Sequence, residues 1–180
     1  MRAWELFKKD NAASGLRLEI AGTGPLEADV TRWARGRNDV DCLGLLSSEE
    51  CQQVMARVRG VIIPSQWEEP FGLVAVETMS LGTPPIAANH GALPELIEPS
   101  VNGVLFDHLD PGALASVLVD VDTKPEAYEA MGHTARKTYL ERFDPEENLR
   151  QLVTIYEFAR ANPAGRSASS AISSREATSS

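Results

Sequence analysis

The chain has 180 residues, of which 43% are hydrophobic and 24% are charged, as is typical of soluble globular domains. Its net charge of -9 argues against a general nucleic-acid binder, because such proteins neutralise phosphates with basic patches. No apolar run approaches the roughly 18–20 residues of a membrane-spanning helix, and the first residues lack a signal-peptide pattern. The composition therefore predicts a soluble, cytoplasmic protein.

Cysteine and histidine are too sparse for a disulfide framework or a metal cluster. The two cysteines, Cys42 and Cys51, are predicted to be reduced residues of the core. The three histidines are scattered along the sequence, and His108 and His133 are interpreted as surface residues. We therefore expect neither a metal nor a cofactor.

Strand-like and helical segments alternate along the chain. Short apolar runs predict strands at 16–21, 39–43, 61–63, 85–88 and 103–106. Amphipathic or capped segments predict a helix ending near Asp10 and helices at 26–34, 47–59, 72–81, 111–121, 125–140 and 145–160. Strands that alternate with helices form parallel βαβ units, so the sequence predicts an α/β fold with a Rossmann-like, doubly wound parallel sheet.

One domain is predicted over residues 1–160, followed by a tail over 161–180. The segment from Pro163 to Ser180 holds seven serines and almost no bulky apolar residue. It buries too little surface to offset its ordering entropy, so we expect the tail to be disordered. In a doubly wound sheet, ligands lie beyond the carboxyl ends of the strands, which here are the loops after Ala21, Leu43, Ser65 and Asn89.

The loop after the third strand carries the densest chemical signal. Pro70 fixes the loop, and Gly72 allows a ligand to approach the backbone at the start of the next helix. The first turn of that helix presents unpaired N–H groups that suit an anion. Glu69 precedes this turn and Glu77 lies about 7–8 Å further along the helix. Carboxylates accept hydrogen bonds from vicinal hydroxyls, so the pattern indicates a ligand with two diols around an anionic centre, as in a nucleotide sugar.

Each glutamate also has a simpler interpretation. An acid near a helix start is favoured by the helix dipole, and an acid within a helix commonly faces solvent. The combination of a strand end, the Glu-Pro-Phe-Gly segment at Glu69–Gly72, an apolar helix face and Glu77 favours a binding site.

The segment from Glu69 to Glu77 resembles the E-x7-E motif of retaining glycosyltransferases of family 4, which have the GT-B fold. Further segments at 18–25, 40–44, 81–84, 91–95 and 102–106 resemble other motifs of that family in the same order. The resemblance spans roughly residues 16–156. It implies that the chain corresponds to the C-terminal, donor-binding half of a GT-B enzyme.

The resemblance implies a role for each matching position. Glu69, the candidate catalytic residue, would bind hydroxyls of the donor sugar rather than act as a nucleophile, and Glu77 would bind the ribose. The segment of Pro70, Phe71, Gly72 and Leu73 would hold the sugar and phosphates, largely through backbone amides. Gly22, Gly24, Leu43 and Gly44 would lie beside the base. His90 departs from the family, which often has small residues in this loop; it is a further candidate for contact with the diphosphate or the base, and a packed or solvated histidine is the alternative. Transfer would retain the anomeric configuration without a metal.

The sequence departs from the family upstream of residue 16. The family's phosphate-binding Arg and Lys precede the Gly-x-Gly strand, and Arg2, Lys8 and Lys9 do not stand in that context. Fixed charges that stabilise the leaving group are usually the largest catalytic contribution. We therefore expect the isolated chain to be inactive or weakly active, with a separate N-terminal GT-B domain as a candidate partner.

The alternatives are a non-catalytic nucleotide-sugar-binding module and one half of a split enzyme. No nucleic acid and no membrane-spanning segment is expected. The sequence leaves open the sugar, the base, the acceptor, the oligomeric state and peripheral association with a membrane.

Overall fold

The structure, a computed structural model, describes residues 1–162. The helices of the described residues are α1 (Arg2–Asp10), α2 (Glu27–Ala34), α3 (Ser48–Arg57), α4 (Leu73–Ser80), α5 (Leu93–Leu96), α6 (Pro111–Thr123), α7 (Pro125–Arg142) and α8 (Pro145–Ala161). The strands are β1 (Leu18–Ala21), β2 (Val40–Gly44), β3 (Val61–Ile63), β4 (Pro85–Ala88) and β5 (Val104–Phe106). Every predicted element is present, and α5 is an additional helix that the sequence did not predict.

Helix starts follow the local capping chemistry. Ser47 forms a capping box with Glu50, in which each side chain accepts a hydrogen bond from the other residue's backbone N–H. Asp110 accepts a hydrogen bond from the amide of Gly112 at the start of α6, where proline occupies the first helical position. These caps satisfy amides that have no partner within their own helix.

The strands are parallel and divide into two sheets. β1 pairs with β2, with Leu18 opposite Val40. The second sheet has the order β3-β4-β5, with Ile62 opposite Ile86 and Ile86 opposite Val104. The predicted Rossmann-like α/β class is confirmed, but the sheet is not continuous. Among the described residues no strand pairs with both sheets.

One apolar cluster connects the two sheets. Trp4 and Phe7 of α1 are buried with Val40 of β2 and Leu118 of α6, and Ile62 of β3 packs against them. All four residues of β4 are buried, as expected for a central strand that is covered on both faces. Both sheets therefore share a core, and the loops after their strands lie at the carboxyl ends.

The described residues divide into two compact units, Met1–Arg142 and a second unit that begins at Phe143 and contains α8. Of the predicted tail, Ala161 is the last residue of α8 and residues 163–180 lie outside the described residues. Within the described chain, no helix combines the length and apolar composition needed to cross a bilayer. Cys42 is exposed and Cys51 is half-buried, so the prediction that both cysteines are core residues is wrong.

Candidate functional site

The start of α4 is built on a glycine that no other residue could replace without strain. Gly72 is buried and has a left-handed backbone with φ of 79°. A Cβ at this position would lie 3.0 Å from the side chains of both Leu93 and Leu96. Gly72 therefore lets the chain turn into α4 while α5 packs directly beneath the turn.

The first turn of α4 suits an anion. The amides of Leu73 and Val74 have no acceptor within their own helix, because the helix begins with them. The first turn contains no acidic side chain that would occupy the positive end of the helix dipole. Phe71 and Leu73, both predicted site residues, are exposed beside these amides. A ligand can therefore reach this turn from solvent.

Glu69 is held in place through both its side chain and its backbone. The hydroxyl of Ser65 donates a hydrogen bond of 2.7 Å to Glu69 Oε1. The carbonyl of Glu69 accepts a hydrogen bond of 3.0 Å from the amide of Ala92. Gly91 packs so closely that a Cβ there would lie 2.6 Å from the Glu69 amide nitrogen. Glu69 as a whole is half-buried.

Glu77 lies on the solvent-facing side of the same helix. The neighbouring Ala75, Val76 and Met79 are buried against the core, whereas Glu77 is exposed. It follows Leu73 by four residue steps, or about 6 Å of helix rise. The two carboxylates are therefore presented by one continuous segment, one before the helix start and one further along the helix.

The glycine loops after β1 and β2 are joined to each other. The amide of Gly22 donates a 2.7 Å hydrogen bond to the carbonyl of Gly44. Both residues have positive φ angles, 117° and 68°, and a Cβ at either would meet no atom within 4 Å. Leu43 is half-buried in β2 immediately before this contact. The structure thus brings Gly22, Leu43 and Gly44 together at the end of the two-stranded sheet.

A cavity of about 710 Å³ opens along α2. Gly24 is the one predicted site residue in its lining, which otherwise comes from Pro25, from α2 itself, including Arg32, and from Arg35 directly after α2. Arg32 is already paired with Asp29 at 2.6 Å. Because this cavity does not include the α4 segment, it is distinct from the site around Glu69.

Two of the three histidines lie together, whereas His133 is exposed on α7, as predicted. The rings of His90 and His108 are stacked with their centroids 4.6 Å apart and their planes at 25°. Both side chains are half-buried, so the interpretation of His108 as a simple surface residue is wrong. Sequence reasoning also gave no role to Ser65. Ser65 stands four residues before Glu69 in the same loop, and this spacing is the sequence feature that could have indicated a contact between the two side chains.

Two parallel sheets with helices after their strands, and with ligand-accessible loops at the carboxyl ends, define a Rossmann-like domain. Residues 1–138 match the family described as glycosyl transferases group 1, and the chain belongs to this family. Its fold corresponds to the C-terminal half of the GT-B fold, as the resemblance predicted.

Two curated relatives show how far the similarity extends. An uncharacterized glycosyltransferase of Methanocaldococcus jannaschii is 29% identical over 158 residues, which is 86% of this chain and 39% of that protein. A D-inositol 3-phosphate glycosyltransferase of Corynebacterium kroppenstedtii is 40% identical over 99 residues, 55% of this chain and 22% of that protein. The chain spans less than half the length of these relatives.

Two solved structures are similar to this chain and are likewise covered over less than half of their length. Anabaena HepE, crystallised with UDP and glucose, superposes with a TM-score of 0.71 at 25% identity, covering 85% of this chain and 44% of HepE. Sucrose-phosphate synthase of Thermosynechococcus elongatus superposes with a TM-score of 0.73 at 27% identity, covering 81% of this chain and 39% of that enzyme.

Proposed function

We propose that this chain is the donor-binding part of a retaining, metal-independent glycosyltransferase that uses a nucleoside-diphosphate sugar. The observation that carries the proposal is the placement of Glu69 and Glu77 on either side of an exposed helix start. The amides of that turn suit a diphosphate. Each carboxylate can accept hydrogen bonds from a pair of hydroxyls.

In this proposal the two acids have separate tasks. Glu69, which is oriented by Ser65, binds hydroxyls of the sugar, and Glu77 binds the ribose of the nucleotide. The backbone from Pro70 to Leu73 holds the phosphates. HepE, which is similar in fold, was crystallised with UDP and glucose and also with UDP-glucose, which supports a nucleotide sugar as the ligand here.

The remaining candidate residues complete the proposed donor site. In this proposal Gly22, Gly24, Leu43 and Gly44 lie beside the base, and His90 lies near the diphosphate or the base. Open space beside Gly22 and Gly44 is compatible with a flat ring, because a Cβ at either position would meet no atom. The absence of a metal requirement follows from the resemblance to family 4 and is tested below.

For the chain on its own, we propose donor binding with weak or absent transfer. Among the described residues, one edge of β1 and one edge of β3 have no partner strand. We propose that a further parallel strand pairs with both of these edges. The carboxyl end of such a strand would lie between the Gly22 loop and the Glu69 loop, where basic groups could face the diphosphate. An N-terminal GT-B domain would supply the acceptor site.

Calorimetric titration tests separately whether Glu69 binds the sugar and whether Glu77 binds the ribose. We expect the chain to bind one of UDP, GDP or ADP, and to bind a matching nucleotide sugar more tightly. Glu77→Ala should weaken the binding of both the nucleotide and the nucleotide sugar by about ten- to a hundredfold, because it removes hydrogen bonds to a charged acceptor. Glu69→Gln should remove only the preference for the nucleotide sugar. Glu129→Ala, at an exposed glutamate of α7, is the matched control and should change neither affinity.

The proposal fails if wild type binds none of these nucleotides, or if Glu77→Ala binds them as well as wild type does. Co-expression with the N-terminal GT-B domain of a group 1 relative then distinguishes the hypothesis of an enzyme from that of a non-catalytic binding module. Transfer with retention that persists in EDTA supports the enzyme. Binding without transfer in that mixture supports the non-catalytic module.

A further inference from the structure

The stacked imidazoles connect two loops at the carboxyl edge of the three-stranded sheet. His90 lies in the loop between β4 and α5, and His108 lies in the loop between β5 and α6. Their ring centroids are 4.6 Å apart, within the range at which aromatic pairs attract. The amide of Asn89 also donates a 2.8 Å hydrogen bond to the carbonyl of Phe106, so backbone and side chains join the same two loops.

The loop that carries His108 is anchored at both ends. Asp107 accepts a 2.9 Å hydrogen bond from the amide of Leu109, which closes a short turn around His108. Asp110 caps α6 through the amide of Gly112, at 2.8 Å. These two hydrogen bonds restrict the backbone on both sides of His108.

The loop that carries His90 is the one against which Glu69 is placed. Gly91 follows His90 directly and leaves no room for a Cβ beside the Glu69 amide. Ala92 donates its amide hydrogen to the Glu69 carbonyl at 3.0 Å. A displacement of the His90 loop would therefore displace the Glu69 backbone, and with it the carboxylate.

We propose that His108 is a positioning residue of the donor site, which acts by stacking on His90 and so holds the β4–α5 loop against Glu69. The role rests on the proposed function, because the benefit of a fixed Glu69 is tighter binding of the donor. It requires a flat ring at position 108 and does not require a hydrogen-bonding nitrogen. The stack restricts the loop before the ligand arrives, so binding loses less conformational entropy.

Three substitutions separate stacking from polarity. His108→Ala removes the ring, His108→Gln keeps a polar side chain without a ring, and His108→Phe keeps a ring without the nitrogens. His133→Ala, at an exposed histidine of α7, is the control. Two measurements are made on each variant: hydrogen exchange of the Ala92 amide by NMR, and calorimetric affinity for the tightest of UDP, GDP and ADP and for its nucleotide sugar.

We expect the Ala and Gln variants to exchange the Ala92 amide faster and to bind the nucleotide sugar about three- to tenfold more weakly, in line with the strength of an aromatic pair. The Phe variant should match wild type in both measurements, as should His133→Ala. The rescue by Phe and not by Gln is the result that a general loss of packing or polarity would not produce.

Unchanged Ala92 exchange in both the Ala and Gln variants would overturn the inference, as would faster exchange with unchanged affinity. Failure of Phe to rescue would overturn it as well. In each case Glu77→Ala would still weaken binding if the proposed function is correct. If wild type binds no nucleotide, the proposed function fails and the positioning role fails with it.

Discussion

Replacing Gly91 by alanine tests whether the β4–α5 loop lies against Glu69 in solution. Gly91 has a φ of 59°, in the left-handed region, and a Cβ there would lie 2.6 Å from the Glu69 nitrogen and 3.0 Å from its carbonyl oxygen. These neighbours are backbone atoms, which cannot rotate away as the end of a side chain can. The substitution must therefore displace either the loop or Glu69.

The expected cost has two parts. A left-handed conformation costs a non-glycine residue about 1–2 kcal/mol. Overpacking against a fixed backbone costs about 1–3 kcal/mol. Alanine recovers about 0.4–1 kcal/mol because it restricts the unfolded chain. The net loss in the free energy of unfolding should therefore be about 1–5 kcal/mol for Gly91→Ala.

Gly36→Ala is the matched control. Gly36 also has a left-handed φ, 79°, but a Cβ there would meet no atom within 4 Å. It should lose only the conformational part, about 1 kcal/mol. In urea denaturation followed by circular dichroism, the Gly91 variant should show a midpoint lower than that of the Gly36 variant by roughly 0.5–2 M. Its affinity for a nucleotide sugar should also fall, while that of the Gly36 variant should not.

Equal destabilisation of the two variants would refute the reasoning, because it would mean that Gly91 has no close neighbour in solution. Normal donor affinity in a folded Gly91→Ala protein would show that the contact with Glu69 does not affect the site.

Two further predictions concern stability and pH. Burial alone would raise the pKa of Asp39, but hydrogen bonds from Arg37 and Trp4 lower it below its usual value. The free energy of unfolding should therefore decrease as the pH drops below about 4. In urea titrations at acid pH, this decrease should be shallower for Asp39→Asn than for wild type. Burial raises the pKa of Tyr128 to about 12. An unfolded tyrosine ionises near pH 10, so stability should decrease from about pH 10 upward, and Tyr128→Phe should abolish that decrease.

Local sequence signals predicted most of the fold. The β-branched run of β3 and the proline and aspartate at the start of α6 act within a few residues, so they can be read directly from the sequence. The predictions were less accurate where an element is short. Helix α5 has four residues, too few for a helical period to be visible, and it forms because Leu93 and Leu96 are buried beneath Gly72.

The division into two sheets could not be predicted from the sequence. The alternating pattern shows that strands and helices follow one another, and the connections imply parallel pairing. Which edges meet depends on long-range packing. Here β1 pairs only with β2 and β3 only with β4 among the described residues.

By itself, the sequence determined the class of fold, the helix start at Gly72 and the acids Glu69 and Glu77 on either side of it, because periodicity, glycine and spacing act over short stretches of chain. The tertiary structure decided which distant residues support that segment. Only folding brings His108 onto His90 and Gly91 onto the backbone of Glu69, since those contacts join loops that follow different strands. A contact between separate loops has no local pattern, so its residues become recognisable only once the strands have been placed side by side.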